Sequence, residues 1–132
     1  MNDVIVKFIV SEGIEAQTNG FQQRQLIVNP VIVFSTPFIP TSLTLAISII
    51  ISGISDGSKH RIGFKVKNNT NEQIIFDSGI TELEVNKSLD NFVISADLKN
   101  LGFETEGTYE ISLSIDGKDY SDYFIVKKNS EQ

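Results

Sequence analysis

A chain of 132 residues, 40% hydrophobic and 21% charged, suits one domain with one core and excludes both intrinsic disorder and a fibrous repeat. Its net charge of −6, from 17 acidic against 11 basic side chains, opposes nucleic-acid binding, because affinity for phosphate backbones comes from Lys and Arg displacing counterions. The absence of cysteine excludes disulfides, thiolate nucleophiles and cysteine-ligated zinc.

The chain opens with Val4, Val6, Phe8 and Val10 at a spacing of two, the period of a strand with one buried face. It has neither a basic leader nor an apolar stretch long enough for a secretory signal, so a cytoplasmic location is expected. Residues 11–23 are polar, contain Asn19-Gly20 and read as a connection; Gln25 to Val28 reads as a second strand. After Asn29-Pro30, Val31 to Phe34 is either its continuation past a bulge or a separate edge strand, since proline cannot donate to a central ladder. No charge occurs between Arg24 and Asp56, yet Pro37 and Pro40 interrupt the segment. The apolar run after these prolines is shorter than the roughly 20 residues a membrane helix needs, so no membrane span is expected.

Leu43, Leu45, Ile47, Ile49 and Ile51 alternate with Thr44, Ala46, Ser48 and Ile50 and define the clearest strand. Gly53, Ser55, Asp56 and Gly57 supply turn chemistry, and Ile62, Phe64 and Val66 then alternate with Arg61, Lys65 and Lys67. The spacing predicts that this strand pairs with its predecessor in a hairpin. Shorter strands are expected at Gln73 to Phe76, Thr81 to Val85 and Asn91 to Leu98, the last presenting Phe92, Ile94, Ala96 and Leu98 on one face. Tyr109, Ile111, Leu113 and Ile115 lead into Asp116-Gly117, a strong short-range hairpin signal, and the returning strand runs to Val126 with Phe124 and Val126 turned inward. Lys127 onward reads as a frayed end, giving a domain of residues 4–127 and a tail of residues 128–132.

Eight or nine short strands, mostly antiparallel, with no helical period longer than a turn or two, predict an all-β domain, a two-sheet β-sandwich. The stretch Glu106-Gly107-Thr108-Tyr109-Glu110-Ile111-Ser112-Leu113, with Ile115-Asp116-Gly117 and Phe124-Ile125-Val126, resembles the last two strands of immunoglobulin-like bacterial modules. The resemblance implies that Tyr109 is a corner tyrosine bonded to upstream backbone, and that Ile111 takes the place of the second cysteine of antibody domains. Together with Phe38-Ile39-Pro40 before the long apolar strand and Gly57 to His60 entering the next, the chain resembles a family of small bacterial sandwich proteins described as a domain of unknown function. That resemblance implies structural roles for Pro40, Gly107, Tyr109, Asp116 and Gly117, and no activity.

Candidate chemistry is sparse. His60, the single histidine, reads as a surface residue, and no Gly-x-Ser-x-Gly or phosphate loop accompanies it. Asp116, Asp119 and Asp122 recur every third residue, but residues three apart on a strand face opposite ways, so they read as turn carboxylates rather than a calcium cage; Asp56 is the other loop carboxylate of interest. Tyr120 and Tyr123 are expected to face apart, which argues against a sugar platform. Arg61, Lys65 and Lys67 form a basic stripe, matched nearby in sequence by Glu82 and Glu84; the stripe is either paired across strands or a docking surface. Ile5, Ile9 and Ile50 sit opposite buried faces and need cover. The sequence therefore points to a non-catalytic binding or assembly module, without cofactor, that engages a protein partner or its own copies. A loop-based site for carbohydrate or calcium is the alternative.

Overall fold

The computed structural model describes residues 3–20 and 22–129, and among these there are ten strands and no helix. They are β1 (Ile5–Asn19), β2 (Gln22–Pro30), β3 (Val33–Thr36), β4 (Thr41–Ser52), β5 (Lys59–Asn68), β6 (Ile74–Asp77), β7 (Thr81–Glu84), β8 (Phe92–Phe103), β9 (Gly107–Ile115) and β10 (Lys118–Lys128). One sheet has the order β2-β1-β4-β8 and the other β3-β10-β9-β5-β6, with β7 also on β5. Among the described residues all pairings are antiparallel except β3 with β10. The orders β1-β4-β8 and β10-β9-β5 are those of the A-B-E and G-F-C strands of an immunoglobulin-like sandwich.

Alternation of side chains across the pleat sets the core. Leu45, Ile47, Ile49 and Ile51 of β4 are fully buried against Val66, Ile111, Leu113 and Phe124 of the other sheet, in one continuous cluster. At one end Phe103, Tyr109 and Phe124 pack ring on ring, with centroids 4.9 to 6.2 Å apart and Phe34 edge-on to Phe124 at 5.9 Å. Tyr109 enters β9 behind Gly107, whose φ of 144° suits a residue without a side chain. Its hydroxyl donates to the Thr105 carbonyl at 2.6 Å, and Asn68 donates to the Thr105 hydroxyl at 2.8 Å, so one loop residue is braced from two strands. Ile111 lies in the core, and the Ile39–Pro40 peptide ahead of β4 is cis.

The β9–β10 hairpin turns on Asp116 and Gly117 alone, both at positive φ (51° and 85°), as a type I′ turn requires. β10 continues through Lys128, where Lys127 and Lys128 pair with Ser35 and Thr36, so the loose end expected from Lys127 begins no earlier than Asn129. Ser130 to Gln132 of that expected tail lie outside the described residues.

One alternative that the sequence left open is resolved, and two elements differ from the sequence reading. Val33–Thr36 is a strand of its own, in the other sheet from β2, because the chain switches layers at Pro30 and Val31. β4 and β5 do not form a hairpin: they lie in opposite sheets, and residues 53–58 carry the chain between them. The reason is Ile54, which the connection buries in the core, as the exposed tip of a hairpin could not.

The second difference is β1, which runs on to Asn19 instead of ending at Val10. It pairs with β4 only up to Ser11, then with β2 as a two-stranded ribbon. In a flat sheet β2 would stand about 14 Å from β8, three strand spacings away. Yet Ser95 of β8 donates to Gln25 of β2 at 2.6 Å, and Ala46 and Ser48, on the outward face of β4, are buried. The ribbon therefore bends back toward the outside of this sheet, Gln25 reaching Ser95 while Ala16 and Ile27 on the same face stay exposed. Ile9 and Ile50 are thereby half-covered, while Ile5 remains open.

Candidate functional site

The residues singled out from sequence fall in three places. The first is His60, at the start of β5, where the connection from β4 meets the β9–β10 turn. Its ring is only 12% exposed rather than a surface feature, because two carboxylates close on it. Nδ1 lies 2.7 Å from Asp116 Oδ2 and Nε2 lies 2.9 Å from Asp56 Oδ1. The other Asp116 oxygen accepts the Arg61 N–H at 2.9 Å, and Asp56 accepts the Ser58 N–H at 2.9 Å. The hydrogen bond to Asp116, followed by that to Asp56, raises the His60 pKa above the ordinary histidine value. Asp56 is lowered chiefly by its bond to His60, and Asp116 by the Arg61 N–H and then His60. With both ring nitrogens engaged by carboxylates, the imidazole has no free position for a nucleophile.

The second place is the outer face of the β5 sheet, which carries Arg61, Lys65 and Lys67. The structure intersperses this stripe with acids. Lys67 bonds Glu72 at 2.9 Å and Glu110 at 3.3 Å, and these bonds raise its pKa. Arg61 stands opposite Glu82, Lys59 opposite Glu84 and Lys65 opposite Asp77 in the strand register. Such exposed pairs contribute little to stability but leave no single-sign field for docking. Tyr123, on the same face, donates to Glu110 at 3.3 Å, and that carboxylate's charge raises its pKa.

Tyr120 turns inward against the core with Lys118 over its ring, so the two tyrosines do not make one platform. Asp119 and Asp122 take opposite faces of β10, and Asp116 is already bound to His60 and Arg61. Among the described residues no group of three His, Asp or Glu side chains is arranged to hold a metal ion.

The third place was not singled out. Where the chain passes from β2 to β3, Phe8, Ile9, Pro30, Val31, Ile32 and Val33 line an open apolar depression of about 540 Å³. Ile32 is 71% exposed, and Val33 lies beside Ile125 in the parallel β3–β10 pair with both side chains open to solvent. The sequence signal for it was the uncharged stretch between Arg24 and Asp56, whose alternation accounts for β4 but leaves residues 25–34 with more apolar side chains than one buried face uses.

No family model matches the chain, and no curated protein matches it. Among solved structures, the Pseudomonas fluorescens alkylpurine DNA glycosylase AlkC, bound to DNA containing an abasic site analog, is similar at 10% identity over 73% of this chain, with a TM-score of 0.48. This chain spans only 28% of that protein's length. The CARDB domain of a Pyrococcus furiosus protein, in complex with di-metal ions, is similar at 10% identity, over 94% of this chain and 96% of that one, with a TM-score of 0.43. At these scores neither likeness bears on function, and the immunoglobulin-like architecture rests on the strand order itself.

Proposed function

We propose that this domain is a non-catalytic module that binds another protein chain, with the apolar depression between β2 and β3 as its docking surface. The observation that carries the reading is the exposure of Ile32 and Val33 in that depression, at the start of the short edge strand β3, with Ile125 of β10 exposed beside Val33. Apolar groups clustered next to open backbone edges favour association, because a partner removes both the apolar area and the unpaired N–H and C=O groups from water. The engagement of both His60 nitrogens supports the non-catalytic part. The resemblance to small bacterial immunoglobulin-like modules agrees with it.

The test compares the wild-type chain with Ile32→Lys by sedimentation and by affinity capture. A charge placed there should abolish self-association, or remove a partner captured by the wild type, while leaving the melting temperature nearly unchanged, since Ile32 packs on little. A wild type that is monomeric at high concentration and a set of captured proteins indifferent to the substitution would refute the proposal.

A further inference from the structure

His60 and its carboxylates join two parts of the chain that no strand pairing joins. Asp56 belongs to the β4–β5 connection, and Asp116 to the β9–β10 turn. A carboxylate only accepts hydrogen bonds, and a neutral imidazole has one N–H to give. With carboxylate oxygens at 2.7 and 2.9 Å from its two nitrogens, only the imidazolium satisfies both. The neutral ring leaves a nitrogen lone pair facing a carboxylate oxygen.

The two contacts are unequally anchored. Asp116 is fixed from behind by the Arg61 N–H, within a hairpin turn whose backbone geometry is set by Gly117. Asp56 is held otherwise by bonds within its own connection, its carboxylate accepting from the Ser58 N–H and its backbone N–H donating to the Ile54 carbonyl at 2.9 Å, and its side chain is about half exposed. A ring that can keep one partner therefore keeps Asp116. Beyond Asp56, the connection is tied down by the Gly57 N–H to the Val85 carbonyl at 3.2 Å, by Ile54 in the core, and by Gly53 against the Asp3 backbone. Among the described residues, the other charged groups near the ring are Asp3 and Lys118, which line the same hollow, and Lys87, whose chain lies against Gly57. On β5 itself Lys59 and Arg61 point to the opposite face, and β7 presents Leu83 to His60.

We propose that His60, Asp56 and Asp116 form a proton-operated latch: the charged ring ties the β4–β5 connection to the β9–β10 turn, and the neutral ring keeps Asp116 and releases Asp56 with Gly57 and Ser58 beside it, while Ile54 stays in the core. The shifts have the sign this needs. A histidine pKa raised by folding contributes stability in full below the ordinary histidine value and loses it as pH rises through the raised one. The lowered Asp56 and Asp116 contribute above the ordinary carboxylate value and lose it as pH falls through their lowered ones. The latch is thus shut below the ordinary histidine value and opens as pH rises through the raised one, with a second loss as pH falls through the lowered carboxylate values.

Because the chain has a single histidine, its ring resonances can be followed by NMR without assignment ambiguity. The full chain is titrated between about pH 5 and pH 9, with amide-exchange protection factors of Gly57 and Ser58 measured alongside. The ring should titrate above the ordinary histidine value, with protection of both amides falling at least about tenfold in step with it. Asp56→Asn should lower the ring's midpoint and leave both amides weakly protected throughout, whereas the β9 and β10 amides stay protected. A wild-type midpoint at or below the ordinary value, or protection at Gly57 and Ser58 that is flat through the ring's titration, would overturn the proposal.

Discussion

Thr105 is a loop residue that two strands hold, through the Tyr109 hydroxyl on its carbonyl and the Asn68 amide on its own hydroxyl. Removing the tyrosine hydroxyl leaves the ring in its aromatic cluster but leaves the Thr105 carbonyl short of a donor. Tyr109→Phe should therefore cost about 0.5 to 1.5 kcal/mol, read as a lower urea midpoint with an unchanged slope. This corner was legible in the sequence, because glycine two residues before a tyrosine at the head of an alternating strand is a local pattern. The His60 cluster was not. Its partners lie 4 and 56 residues away, and they meet only because the connection crosses between sheets, a fact that spacing along one strand cannot encode.

At the scale of elements, the ribbon of β1 and β2 explains why one outward face of β4 is dry. Alternation predicts that Ala46 and Ser48 point to solvent, and they do point away from the core, but onto the folded-back ribbon. A long charged side chain at Ala46 must displace that ribbon or bury its own charge. Ala46→Lys should destabilise by about 1 to 3 kcal/mol, whereas Ser42→Lys, at an exposed position on the same face, should stay within about 0.5 kcal/mol. Chemical denaturation of the two variants checks the contrast. The ribbon escaped the sequence reading because Glu12, Glu15, Gln17 and Arg24 leave no face consistently apolar, so its strands lack the period that revealed β4, β5, β8, β9 and β10. The supposed hairpin between β4 and β5 failed for a related reason. Two alternating runs joined by glycines look alike whether they pair edge to edge or face each other across a core, and Ile54 was the residue that distinguished the cases.

At the scale of the whole molecule, both sheets contribute to a single hydrophobic cluster, so neither can loosen alone. Ile49→Ala in one sheet and Leu113→Ala in the other should each cost about 2 to 5 kcal/mol and move the same transition. Tyrosine fluorescence and far-ultraviolet circular dichroism should remain superimposable in both variants, as one cooperative unit requires.

The parallel pairing joins Val33–Thr36 to the end of β10, about ninety residues further along the chain. Partners so far apart meet late, after the entropy of closing a long loop has been overcome. During vectorial synthesis β3 has no partner strand until β10 leaves the ribosome, so the stretch from Ile32 to Thr36 stays uncovered while the residues between the two strands are made. A nascent chain stalled before residue 125 would carry that stretch as bare, sticky backbone, and this is where association with chaperones or with sibling chains on the same message should begin.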